Sequence, residues 1–318
     1  MWYRLPMVGL MAILPALLGT PARAQQIVLS PRTGIGGAPD FWNLFTQDAP
    51  WAIVASRITS IELGSGDFGS TAQLRSMGTF LHSRKIRLGV GLLPLTSENW
   101  DVCGRGVEGY SARSQPLANA MRLRSAGLRP AYFGMDEPLW FGHFYDGPHA
   151  CHSSINEVVK EVAKKVRQVN SIFPQAQIGE VEPISALWRV RPDRWASEIQ
   201  EWLAEYHAAT GHKLAFFRLD MEWNHGWQTQ IGELTDILRR AGVPLQIIYN
   251  SGSHTDKEWT ARAESHFKEF ESGPWPLPAA AVFQSWTSNP SHLLPETEPT
   301  TLTGLVRRYI EWKAPRAH

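Results

Sequence analysis

Apolar and polar positions trade places along the chain with a long, regular beat. Eight short apolar runs can be marked, at 27–30, 58–63, 87–94, 131–137, 176–182, 214–222, 245–250 and 280–286, and a helix-like stretch follows each. The clearest such stretch is 155–172, where Ile155, Val158, Val159, Val162, Val166 and Val169 recur at three- and four-residue steps. Lys160, Lys164, Lys165 and Arg167 take the other face, so the pattern predicts an amphipathic helix lying on a sheet. Ser154 with Glu157 and Thr255 with Glu258 have the spacing of a capping box, in which side chains satisfy free amides of the first turn. Gly127, Gly211 and Gly242 stand shortly before the next strand, where a helix C-cap needs a left-handed residue.

The starts of the apolar runs lie 29 to 45 residues apart, enough for one strand, one crossover helix and two loops. Eight such units predict an α/β fold, a (β/α)8 TIM barrel of parallel strands. A doubly wound open sheet would call for a glycine-rich phosphate loop after the first strand, and Gly34-Ile35-Gly36-Gly37 has the wrong spacing for one. With no further repeat and no low-complexity linker, 25–318 reads as a single barrel domain.

Residues 1–24 read as an export signal: Arg4 at the front, apolar residues from Leu5 to Leu18, then Thr20-Pro21-Ala22-Arg23-Ala24 as a small-residue cleavage site. The apolar part is interrupted by Pro6 and Pro15 and is shorter than the roughly 20 residues a spanning helix needs. The expected location is therefore the periplasm or the medium, with no membrane contact after cleavage. The full chain has 31 basic and 30 acidic residues, and the signal removes two arginines and no acid. Near-neutrality leaves no electrostatic footprint for nucleic acid and suits a neutral partner. The two cysteines, Cys103 and Cys151, follow the signal and are expected to be bridged in an oxidising compartment, tying two neighbouring loops together on one face.

Three of the runs end in acids: Phe133-Gly134-Met135-Asp136-Glu137-Pro138, Ile178-Gly179-Glu180-Val181-Glu182-Pro183 and Leu219-Asp220-Met221-Glu222-Trp223-Asn224. Catalytic groups of a barrel stand at the C-terminal strand ends, so adjacent strands four, five and six should gather these carboxylates in one patch. Alternation separates Asp136 from Glu137, so only one is expected to point fully into the mouth. It also puts Glu180 with Glu182, and Arg218 with Asp220 and Glu222, the arginine inside the barrel neutralised by those acids. Two carboxyls of unequal pKa are what glycoside cleavage requires. Among the 14 tryptophans, Trp140, Trp188, Trp223, Trp227 and Trp286 fall at or beyond strand ends, where a ring can stack on a sugar, whereas Trp195, Trp202 and Trp259 read as core.

Gly134-Met135-Asp136-Glu137-Pro138 resembles the Asn-Glu-Pro or Asp-Glu signature of TIM-barrel glycoside hydrolases. In the clan A group that resemblance implies Glu137 as acid/base. In the substrate-assisted hexosaminidase type it implies Glu137 as acid and Asp136 steering the substrate's acetamido group. Clan A enzymes carry a nucleophilic glutamate at the end of the seventh strand, and here that strand ends Ile247-Ile248-Tyr249-Asn250. The second carboxylate is then expected from Glu222, held ionised by Asp220 and Arg218, or from Glu182; otherwise Asp136 acts through the substrate.

The candidate catalytic set is Glu137, Glu222, Asp136 and Glu182. The candidate substrate contacts are Trp140, His143, Glu180, Asp220, Trp223, Tyr249, Asn250, Gln284 and Trp286. No paired-histidine spacing suggests zinc, no cofactor is expected, and no Gly-x-Ser-x-Gly elbow suggests an esterase. The expectation is a monomeric exported glycosidase acting on an oligo- or polysaccharide; alternatives are a noncatalytic glycan-binding barrel, a transglycosylase and a metal-dependent sugar enzyme.

Overall fold

The computed structural model describes residues 24–32, 37–64, 68–97, 102–111, 115–224 and 226–315. The expected export signal, apart from Ala24, lies outside the described residues, as do Gly34, Ile35 and Gly36. Eight parallel strands pair in chain order and close on themselves: β1 Gln26–Ser30, β2 Ser60–Leu63, β3 Arg87–Leu93, β4 Tyr132–Asp136, β5 Gln177–Glu182, β6 Phe217–Leu219, β7 Leu245–Tyr249 and β8 Ala280–Gln284. Closure runs from Gln26 beside Ala280 to Ser30 beside Gln284. The fold is a (β/α)8 TIM barrel. Its connections hold α1 Ala52–Ala55, α2 Thr71–Arg84, α3 Gln115–Ser125, α4 Ile155–Ile172, α5 Ile184–Val190, α6 Trp195–Thr210, α7 Gln228–Ala241, α8 Asp256–Ser272 and α9 Leu302–Lys313. No helix among the described residues is long and apolar enough to cross a membrane.

Helix α4 covers the expected span and buries its Ile/Val stripe, and Ser154 and Glu157 form the reciprocal capping box. Lys165 departs from expectation: it is buried, with its Nζ 3.8 Å from Glu161, because the long stem lies among the valines before the charge reaches its partner. Thr255 caps α8 by accepting from Glu258 N–H, and Gly211 and Gly242 end α6 and α7 in the left-handed region. The main apolar core lies between sheet and helices, using Leu29, Phe133, Met135, Phe217, Leu219, Ile247 and Phe283. Alternate strand residues turn inward, and Val28, Val181, Ile248, Ala280 and Val282 form a second small cluster.

The rest of the interior is polar. Arg218 on β6 makes paired bonds to Glu62 on β2, at 2.8 and 2.6 Å, and its Nε donates to Gln246 Oε1 on β7 at 3.1 Å. Burial pushes the Glu62 carboxyl up, but the guanidinium, with bonds from Ser30 and Tyr132, brings it below its ordinary value. Arg218 is thus inside the barrel as expected, yet its partner is Glu62 rather than Asp220 or Glu222. The reason is the length of β6, which stops at Leu219 instead of running to 222. Asp220 N–H still bonds to Glu182 carbonyl oxygen at 3.1 Å; the chain then turns, with Trp223 N–H on Met221 carbonyl oxygen at 3.0 Å.

Candidate active site

The end of β4 builds the site. Asp136 is an inward residue of the strand, and Glu137 follows at φ 47°, a left-handed conformation that a side chain beyond glycine rarely adopts. Both backbone groups of Glu137 are tied: its N–H donates to Val181 carbonyl oxygen at 3.1 Å and its carbonyl accepts from Phe141 N–H at 2.9 Å. This turn overrides strand alternation, so Asp136 and Glu137 enter one cluster rather than diverging. Holding such a backbone costs about 1–3 kcal/mol, a type of strain that concentrates at functional sites.

Asp220 reaches the same cluster from β6. Its carboxyl lies beside the Glu137 carboxyl and the Asn250 side chain, and polar contact with these two draws its pKa down. Burial first, then the charges of Glu222 and Glu108, push Asp220 up to about 7, against the pull of those two contacts. Asp136 is likewise pushed up to about 7, by burial and then by Glu108 and Asp220. Glu137 is raised well above the usual carboxylate range by burial and by the charges of Asp220, Asp136, Glu182 and Glu108.

Beside this cluster opens a cleft of about 530 Å³ bordered by Asp220, Glu222, Trp223, Asn250, His266 and Trp286. Asn250 Oδ1 accepts from Trp223 Nε1 at 3.0 Å, and the Trp223 ring lies parallel to His266 at 4.4 Å. Those contacts fix the indole as a wall, while Trp286 is 43% exposed at the lip. Gln284, the last residue of β8, has a buried Oε1 with no hydrogen-bond partner among the described residues. Glu222 stands in the loop after β6, not on the strand, and both its oxygens bond to Arg189 at the end of α5, one at 2.6 Å.

Other expected site residues are placed elsewhere. Glu180 and Glu182 do share a side of β5, but it is the outer side. Glu180 is fully buried against α6, accepting from Trp202 Nε1 at 2.9 and 2.8 Å, and burial pushes it up to about 8. Glu182 accepts from the backbone N–H groups of Leu139 and Trp140 at 2.7 and 3.0 Å, anchoring the π-type turn Trp140–Phe144 that follows Glu137. Burial and Glu180 raise Glu182, and those two amides draw it back. Tyr249 points outward to Glu271 at 2.8 Å. His143 faces Ser153 carbonyl oxygen at 2.7 Å, with Nε2 3.8 Å from buried Glu198. Trp140 packs edge-on to Phe141 and Tyr145, Trp188 lies against the core, and Trp227 is buried in it.

Cys103 and Cys151 are bridged, joining the loop after β3 to the loop after β4. Gly104 N–H donates to His149 carbonyl oxygen at 2.8 Å across the same junction. This stapled loop carries Glu108, an exposed acid whose charge is felt by Asp136, Glu137 and Asp220. Sequence reasoning missed it because no apolar run leads into it; the signal was its place between Gly106 and Gly109, five residues after Cys103. Among the described residues, no group of three or more His, Cys, Asp or Glu is arranged to hold a metal ion.

No known protein family matches the chain, and no curated protein matches it. Solved structures do align with it. The intracellular xylanase TsXylA from Thermoanaerobacterium saccharolyticum is 8% identical, with 85% of this chain and 88% of that one covered and a TM-score of 0.49. The catalytic core of xylanase A is 10% identical over 89% and 96% of the two chains, also at 0.49. Morphinone reductase, which is not a glycosidase, gives 11% identity, 81% of each chain and the same TM-score. Glycoside hydrolases and other enzymes thus align equally well, and no chemistry is inferred from them.

Proposed function

We propose that the protein is an exported glycoside hydrolase that cleaves an oligo- or polysaccharide, with Glu137 as the proton donor to the leaving oxygen. The observation that carries this reading is the state of Glu137: fixed by both backbone groups beyond β4, raised in pKa among other carboxyls, and set beside Asp220 next to an aromatic-edged cleft. A carboxyl kept protonated at neutral pH is what glycosidic oxygen needs when its bond to carbon breaks. Once Glu137 gives up that proton, Asp136 and Asp220 are the neighbours whose charge opposes the new anion, which favours rapid reprotonation.

Substrate recognition follows from the same cleft. Trp286 offers an exposed ring for the apolar face of a sugar, Asn250 suits a hydroxyl group, and Glu222, held by Arg189, lines the rim. The domain doing this is residues 25–318, released after export.

Release of reducing ends from a panel of bacterial and plant glycans, by wild type and by Glu137→Gln, tests the proposal. Turnover by wild type that falls in a folded Glu137→Gln variant supports it. No turnover by either protein, with equal glycan binding, would replace it with a glycan-binding barrel.

A further inference from the structure

Glycoside hydrolysis by Glu137 needs a second group to activate the attacking water, and most acids of the mouth are already engaged. Asp220 stands close beside Glu137, whereas carboxyls that act on opposite sides of a glycosidic bond stand about 5 Å or more apart. Glu182 has one oxygen on each of two backbone amides, and Glu222 has both on Arg189. Asp136 is adjacent in the chain to Glu137 and belongs to the same cluster.

Glu108 differs from all of these. It is exposed and makes no hydrogen bond or ion pair among the described residues. Its backbone, however, is fixed. Val107 before it and Gly109 after it are buried, Val107 N–H donates to Gly104 carbonyl oxygen at 3.2 Å, and Leu95 N–H donates to Gly109 carbonyl oxygen at 2.7 Å. Gly109 has φ 78°, and a Cβ there would lie 3.0 Å from the Asp136 carbonyl oxygen and 2.5 Å from the Phe141 ring. The peptide beside Glu108 is therefore pressed against the end of β4, and the disulfide holds the loop in that position. Glu108 is also close enough for its charge to act on Asp136, Glu137 and Asp220.

We infer that Glu108 is the general base of the reaction, the carboxylate that takes a proton from the attacking water while Glu137 protonates the leaving oxygen. The inference rests on the glycosidase reading. In the step, the water oxygen bonds to the anomeric carbon and loses a proton to Glu108. The glycosidic bond breaks with its electron pair on the leaving oxygen, which takes the Glu137 proton. One water is consumed, the anomeric configuration inverts, and both carboxyls return to their starting states by proton exchange with solvent.

The test compares wild type, Glu108→Gln and Glu137→Gln on the glycan that the wild type cleaves and on the matching glycosyl fluoride, whose leaving group needs no acid. General-base loss lowers kcat of Glu108→Gln by about 10²- to 10⁴-fold on both substrates, with KM little changed. Glu137→Gln, in contrast, recovers about tenfold or more on the fluoride. The product released by wild type, followed by NMR, has the inverted configuration. A Glu108→Gln variant within about threefold of wild type, or a product of retained configuration, overturns this inference alone when Glu137→Gln is inactive on the glycan. A wild type that turns over no glycan overturns the glycosidase reading and this inference with it.

Discussion

Glu62 on β2 and Asp136 on β4 both point into the barrel, and the two are treated in opposite ways. Glu62 meets a guanidinium with two bonds, a serine and a tyrosine, and its carboxyl is drawn below its ordinary value. Asp136, at the mouth, meets Glu108, Asp220 and Glu137, and is pushed up to about 7. In the lower layer the acid Glu62 has a cation, Arg218. In the upper layer acids gather around one another, and the arginine bound there, Arg189, is spent on Glu222 at the rim. Compensated burial links β6 to β7 and, across the barrel, to β2; uncompensated burial stores protons, which is useful to a catalyst and costs stability.

The largest effect is expected from breaking the compensated layer. Arg218→Met leaves Glu62 buried without a counter-ion, which costs about 3–5 kcal/mol, and adding Glu62→Gln should return much of the loss. Chemical denaturation of the single and double variants checks this; equal stability of both would mean that the pair is not what matters. Next comes the disulfide. Reducing Cys103–Cys151 should lower turnover under conditions where the circular dichroism spectrum and melting curve are little changed, because the bridge positions the Glu108 loop rather than the barrel. Parallel loss of activity and fold would count against that role.

A smaller effect sharpens the contrast by pH. Asp136 titrates near 7 when folded and about 3.9 when unfolded, so the native state binds more protons between those values. Its contribution to stability is complete below about pH 4 and is lost as pH rises through about 7. Asp136→Asn removes that loss, so it should raise Tm by about 2 °C or more at pH 8 and much less at pH 4. An equal shift at the two pH values would show that a contact, not a proton, is responsible.

The fold was legible because parallel strands buried on both faces and amphipathic helices write their periods directly into the chain, as 155–172 does to the residue. The cluster of Asp136, Glu137 and Asp220 was legible for the same reason, since strand ends converge in a barrel. What alternation could not reveal was the backbone beyond a strand. The left-handed turn at Glu137 brought a diverging side chain back, the early stop of β6 carried Glu222 off to Arg189, and Glu180 with Glu182 proved to share the outer side of β5. Strand period tells which residues are on one side; it does not tell which side. Glu62, an acid in an apolar run, and Glu108, in a loop without a period, were visible only once distant strands and the disulfide had brought them to their partners.

Turnover and thermal melting of Glu137→Gln, measured side by side with wild type on a cleaved glycan, test the account most directly. A mouth that stores protons for chemistry predicts turnover reduced by about 10²-fold or more, together with a Tm equal to or above that of wild type at pH 7. Full turnover in the variant, or a Tm that falls together with activity, would contradict it and make the mouth carboxyls part of the scaffold.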